Sequence, residues 1–175
     1  MDKKTIKLKE TSFTQAINIS AQWCKEWEEE LLSEEVLADR VAELIKTKNG
    51  LRGFFAYALS DRDCYLLDKL PFSLVFKLQE VGASVVEIVV KNLIMSSAQI
   101  VVHDRENNIE YKSNSENISE RCKGILRLLE TNLVTKTINK IMNNLDNLGN
   151  SLDNLKKYDD KQKEFIKNQI FDIAQ

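Results

Sequence analysis

The sequence has 175 residues, of which 43% are hydrophobic and 30% charged, and its formal net charge is −2. That size and apolar content suit one folded domain, since a chain of about 150 residues buries roughly 70% of its unfolded surface, and they exclude disorder throughout. The near-neutral balance excludes the basic stripe of a dedicated nucleic-acid binder, and five glycines with one proline are too few for the turns of a sheet protein.

Residues 1–11 read as a mobile polar arm, charged and without the apolar region of a signal peptide. Ser12 and Gln15 make a capping box, and Phe13, Ile17, Cys24, Trp27 and Leu31 then recur at near-helical spacing. Ser33 can cap a second helix, with Glu34 and Glu35 at the positive end of its dipole, and Leu37, Val41, Leu44 and Ile45 on its buried face. Asn49-Gly50 is the expected stop of that helix. Phe54 to Leu59 is short and apolar, and its periodicity leaves a buried strand and a helical turn both open. Pro71 pre-sets the first turn of a helix through Leu74, Val75 and Leu78, which Gly82 should end.

Ser84 with Glu87 is a second capping-box pattern, and it opens the most hydrophobic stretch in the chain, Val85 to Val102. β-Branched residues there favour a strand by propensity. About twenty residues without a turn signal nevertheless exceed any usual strand, so residues 84–104 read as one long buried helix. The rival is a hairpin turning near Met95-Ser96-Ser97. Asp104 to Ser115 reads as a polar loop, and Asn117 as the cap of the next helix, which buries Ile118, Cys122, Ile125, Leu129 and Leu133. Val134, Ile138, Ile141, Leu145, Leu148, Leu152 and Leu155 alternate at steps of four and three, the 3.5-residue seam of a coiled coil over 134–158. A terminal helix over 160–174 should bury Ile166, Ile170 and Ile173.

The seam makes Ile138, Ile141, Leu145, Leu148, Leu152 and Leu155 the candidate interaction face, either for self-association or for a partner helix. Packing within the chain is the competing reading, because the flanking positions offer no complementary charges and the many asparagines are poor helix formers. Trp23 and Trp27, one turn apart, together with Phe54, Phe55 and Tyr57, are candidate lining for a flat or hydrophobic ligand; core packing explains the same residues. Glu26, Glu28, Glu29, Glu30, Glu34 and Glu35 form an acidic cluster, either a solvated face or a dock for a basic partner. His103 is the single histidine, which removes multi-imidazole metal sites within one chain, and it suits the negative end of the long helix. Cys24, Cys64 and Cys122 read as isolated, buried, reduced thiols. Gly50-Leu-Arg-Gly53 is too short for a phosphate-binding loop. No catalytic residue, metal ligand or cofactor is assigned, and neither nucleic acid nor membrane is an expected partner.

Arg52-Gly-Phe-Phe55, Leu66-Leu-Asp-Lys-Leu-Pro71 and Val89-Val-Lys-Asn-Leu-Ile-Met-Ser-Ser-Ala98 give a wording that resembles a small uncharacterised family of cyanobacterial proteins over about residues 12–130. The resemblance implies a bacterial cytosolic setting and brings no activity or site residues; the Asn-rich segment after residue 131 lies outside it. The expectation is therefore an all-α cytoplasmic protein, one domain over 12–175 with six to eight helices around residues 84–104. Its expected role is a non-catalytic interaction or regulatory protein, possibly a homodimer, the alternative being a helical bundle that binds a small hydrophobic or planar ligand.

Overall fold

The computed structural model describes residues 11–146 and 158–174. Every regular element among them is helical, and the chain divides into two compact units, residues 1–81 and 82–175.

The N-terminal unit holds α1 (Phe13–Glu28), α2 (Glu34–Leu44), α3 (Lys48–Ser60) and α4 (Phe72–Val81). Helix α1 packs on α3, and α2 on α4. The expected capping box is present: the Gln15 N–H donates to Ser12 Oγ at 3.2 Å, and the Ser12 N–H to Gln15 Oε1 at 2.9 Å. Ser33 caps α2, taking the Val36 N–H at 3.3 Å. Residues 54–59 are helical, which resolves the open choice there.

Asn49-Gly50 proves to be no stop. Helix α2 ends at Leu44, Thr47 accepts the Gly50 N–H at 3.0 Å, and both residues lie in the first turn of α3. Gly50 is there for space, because a Cβ would sit 1.8 Å from the Leu44 carbonyl oxygen. Gly53 meets the same constraint against α1, where a Cβ would lie 2.4 Å from that of Ala16 and 3.0 Å from the Phe13 carbonyl oxygen. The two helices touch almost backbone to backbone at this point.

Helix α1 closes in a Schellman turn. Leu31 N–H donates to the Glu26 carbonyl at 2.8 Å and Glu30 N–H to that of Trp27 at 3.0 Å, which places Glu30 at φ 58°. A glutamate there crowds its Cβ against the backbone, and glycine does not. Glu30→Gly is expected to raise the stability of this unit by about 0.5–1 kcal/mol, read by urea unfolding with tryptophan fluorescence.

The C-terminal unit holds α5 (Ala83–Arg105), α6 (Ile109–Leu128), α7 (Thr131–Asp146), α8 (Asp160–Phe171) and a 3-10 turn at Asp172–Ala174. Helix α5 is the expected rod, and α6, α7 and α8 all pack on it. It begins one residue before Ser84, with Gly82 at φ 67° as its cap and no side-chain cap bond, so the second capping-box pattern is not used. Val85, Val86, Val89, Val90, Leu93, Ile94, Ile100 and Val101 are buried along it. Its buried hydroxyls turn back on the helix: Ser97 and Ser96 donate to the Leu93 carbonyl at 2.6 and 3.1 Å.

The expected loop over 104–115 shrinks to a tight turn. Asn108 N–H donates to the His103 carbonyl at 2.9 Å and Asn107 adopts φ 54°. The Asn108 side chain then takes the Tyr111 N–H at 3.2 Å and starts α6, so residue 117 lies inside that helix and caps nothing. Helix α8 begins at a capping box between Asp159 and Gln162, and Gln162 Nε2 donates to the Ala98 carbonyl of α5 at 3.3 Å. Arg105 grips Asp159 with both guanidinium nitrogens, at 2.6 and 3.2 Å.

That grip, with the Gln162 backbone N–H, holds the Asp159 carboxyl down at about 2. A folded value below the unfolded one, about 3.9, stabilises fully above pH 4 and is lost as pH falls towards 2. The melting midpoint is expected to drop across that window, and Asp159→Asn to flatten the drop, as circular dichroism at stepped pH would record.

Candidate functional site

The C-terminal unit carries an open groove of about 730 Å³ between α6, α7 and the end of α8. Leu126 of α6, Val134, Ile138 and Met142 of α7, and Ile170, Phe171 and Ile173 give it apolar walls. Leu126, Val134 and Ile170 are buried, whereas Phe171 stands 68% exposed at the edge. Thr131, Thr135 and Asn139 line it at steps of four, a spacing that puts them on one side of α7 as an uncharged polar stripe.

Arg127 is the charged residue of the lining. Its guanidinium donates to the Asp172 carbonyl at 2.8 Å and lies 3.6 Å from the Asp172 carboxylate. Lys123, nearly enclosed, bridges the same carboxylate at 2.7 Å and Glu120 at 2.6 Å. The Lys123 hydrogen bond holds the Asp172 carboxyl below its usual range. These contacts bind the 3-10 turn to α6, so the residues around it keep their place in the groove wall.

The heptad residues divide. Val134 and Ile141 are buried, and Ile138, half-buried, faces the groove. The Leu145 side chain and Leu148, Leu152 and Leu155 lie outside the described residues, as do residues 1–10 of the expected arm. Helix α7 runs to Asp146, and the remainder of the expected 134–158 helix up to Lys157 falls in the same undescribed stretch. Where the seam is described, two of its positions pack inside the unit.

The aromatic candidates belong to the N-terminal unit. Phe54 and Phe55 are wholly buried, packed edge to face at 5.1 Å, and present no surface to a ligand. Trp23 is buried with the Arg40 guanidinium 5.9 Å from its ring centre, and Trp27 is half-buried. Tyr57 is half-buried, near a group that no sequence pattern announced: Cys24, Cys64 and the Glu28 and Asp61 carboxylates. Burial pushes the Tyr57 phenol up. The cysteines are buried as expected, but Cys24 and Cys64, distant in sequence, are not isolated.

Three of the six residues of the acidic cluster are engaged in local bonds. Glu26 takes Gln22 at 2.8 Å and Arg40 at 3.3 Å, Glu28 accepts the Tyr65 N–H at 3.2 Å, and Glu29 faces Lys25 at 3.8 Å. Asp61 accepts the Asp63 and Cys64 N–H groups at 2.9 and 3.0 Å, an Asx turn. His103 sits in the last turn of α5, 3.8 Å from Glu106 and with its ring centre 5.6 Å from that of Tyr111. Among the described residues no three His, Cys, Asp or Glu side chains gather as a metal site.

A family model described as Uncharacterised conserved protein UCP020893 matches residues 12–173. The match runs past residue 131, so the Asn-rich segment lies within the family's span and is not an appendage to it. No curated protein and no solved structure matches the chain.

Proposed function

The chain belongs to that uncharacterised family, and from its own geometry we propose that it is a non-catalytic interaction protein that takes the apolar face of a partner's helix into the groove of its C-terminal unit. The observation that carries this is the groove itself. From Thr131 to Met142 it follows α7 for about three turns, roughly 16 Å, the length over which a docked helix presents anchors at i, i+4 and i+7. The Thr131–Thr135–Asn139 stripe supplies hydrogen bonds that fix register, and Arg127 favours an acidic residue at its end of the groove. Because Val134 and Ile141 are buried within their own unit, a heterologous helix suits the site better than pairing of two seams. The reading takes the chain to work in the cytoplasm; α5 is long and apolar enough to cross a membrane, but 61% of that stretch is buried inside the protein.

Ile138→Asp places a charge in the groove wall, and Met95→Asp places one on an exposed part of α5. Affinity capture is expected to lose its bound protein with the first variant and keep it with the second, at unchanged helicity. Equal capture by both variants sinks the reading, and light scattering that finds a dimer broken by Ile138→Asp would make the occupant a second copy.

The volume supports one other reading, since about 730 Å³ lies inside the range of roughly 300–1,000 Å³ of small-molecule pockets. A hydrophobic ligand seen by native mass spectrometry, and lost in Ile138→Trp, would favour it.

A further inference from the structure

We propose that the N-terminal unit binds a phosphate group, free or as a small phosphate ester, where the first turns of α1 and α3 meet.

The two helices run side by side in the same direction. A Cβ on Gly53 of α3 would lie 3.0 Å from the Phe13 carbonyl oxygen at the start of α1. Beyond the end of α3, the Tyr65 N–H reaches Glu28, the last residue of α1, at 3.2 Å. Both N-termini therefore open at one end of the unit, where the Asn49 side chain donates to the Thr11 carbonyl at 3.3 Å. Each helix dipole leaves about half a positive charge there, and neither first turn holds an acidic residue. The caps Ser12 and Thr47 take the Gln15 and Gly50 N–H groups. Helix geometry leaves Phe13 and Thr14 in α1, and Lys48 and Asn49 in α3, with no intrahelical acceptor for their N–H groups. All four residues are exposed.

The residue at this junction points to a ligand. Thr11 is only 6% exposed, and its hydroxyl is buried with no hydrogen-bond partner among the described residues. A buried hydroxyl left unsatisfied is costly, so such a group calls for an occupant that completes it. The charges around it agree. Lys48 and Arg52, one turn apart on α3, are exposed and carry no ion pair among the described residues. The Arg52 guanidinium lies 5.1 Å from the centre of the Phe13 ring, which holds its charge at the start of α1. The Leu44 carbonyl at the end of α2 also approaches α3, but Thr47 satisfies it through its N–H at 3.4 Å and its hydroxyl at 3.3 Å. Glu43 of α2 is paired with Lys46. Two cations and two helix ends suit the double negative charge of a phosphate better than the single charge of a carboxylate. Its several oxygens can take N–H groups from both turns and the Thr11 hydroxyl together. The inference does not depend on the groove, which belongs to the other unit.

The test is a titration of the full, isotope-labelled chain with inorganic phosphate, against chloride at matched ionic strength, read by amide nitrogen–proton correlation spectra. Expected are saturable shifts of the Thr14, Lys48 and Asn49 amides. Lys48→Gln should raise the dissociation constant about fivefold. Thr11→Val keeps the shape and removes the hydroxyl; it should raise the constant about tenfold while melting no lower than the parent. Lys91→Gln, in the other unit, should leave binding unchanged. Tighter binding of glycerol phosphate than of inorganic phosphate would assign an ester, and the reverse order the free ion. No saturable shift at those amides, shifts that chloride reproduces, or an affinity unchanged in Lys48→Gln or in Thr11→Val would each overturn the proposal.

Discussion

Gly53→Leu is expected to leave the N-terminal unit unfolded at room temperature, and Gly53→Ala to cost it about 1–3 kcal/mol. A helix interior ordinarily gains about 1 kcal/mol when glycine becomes alanine, so a loss would be the mark of contact. At this position a Cβ would lie 2.4 Å from that of Ala16 and 3.0 Å from both the Ile17 nitrogen and the Phe13 carbonyl oxygen. The last two are backbone atoms of a regular helix, and they move only if α1 as a whole moves away from α3. That retreat would open the packing around Phe54 and Phe55, neither of which is exposed at all. Both tryptophans, Trp23 and Trp27, lie on α1, so fluorescence-detected urea unfolding reads this unit directly. An alanine variant as stable as the parent would show that α1 and α3 are not in backbone contact.

Leu93→Ala is the second large effect, with an expected loss of about 2–5 kcal/mol in the C-terminal unit. Leu93 is fully buried at the middle of α5, the helix against which α6, α7 and α8 all pack. Its removal leaves a cavity that fixed neighbours can fill only in part. Met95, two residues on, is 54% exposed, and Met95→Ala is expected to stay within about 0.5 kcal/mol. Far-UV circular dichroism is the suitable probe, since both tryptophans sit in the other unit. Equal effects at the two positions would mean that α5 is not oriented as described.

Much of this fold is legible in the chain because it rests on local chemistry. Ser12 with Gln15 and Ser33 with its acidic first turn cap the helices they seem to cap, since a hydroxyl three residues from an orphan N–H needs no distant partner. The length of the 84–104 stretch outweighs its β-branched composition for a similar reason: twenty residues without a turn signal have no way to fold back. The 107–108 turn was missed, because its signal is a less common one. Asparagine can take the left-handed position that usually goes to glycine, and a second asparagine can cap the next helix at once, so a polar segment became two helices joined end to end.

By itself, then, the sequence determined the helical class, the central rod and the caps at Ser12 and Ser33, because each is a contest among neighbours within a few residues. Only tertiary structure decided that Gly50 marks a close approach and not a stop, that Gly53 lies against α1, that Val134 and Ile141 pack inward, and that Ile138 faces a groove with Leu126 and Ile170. Those outcomes depend on which atoms arrive from elsewhere in the chain. A residue's type and its sequence neighbours carry no record of that arrival: a glycine reads the same whether it ends a helix or makes room for one.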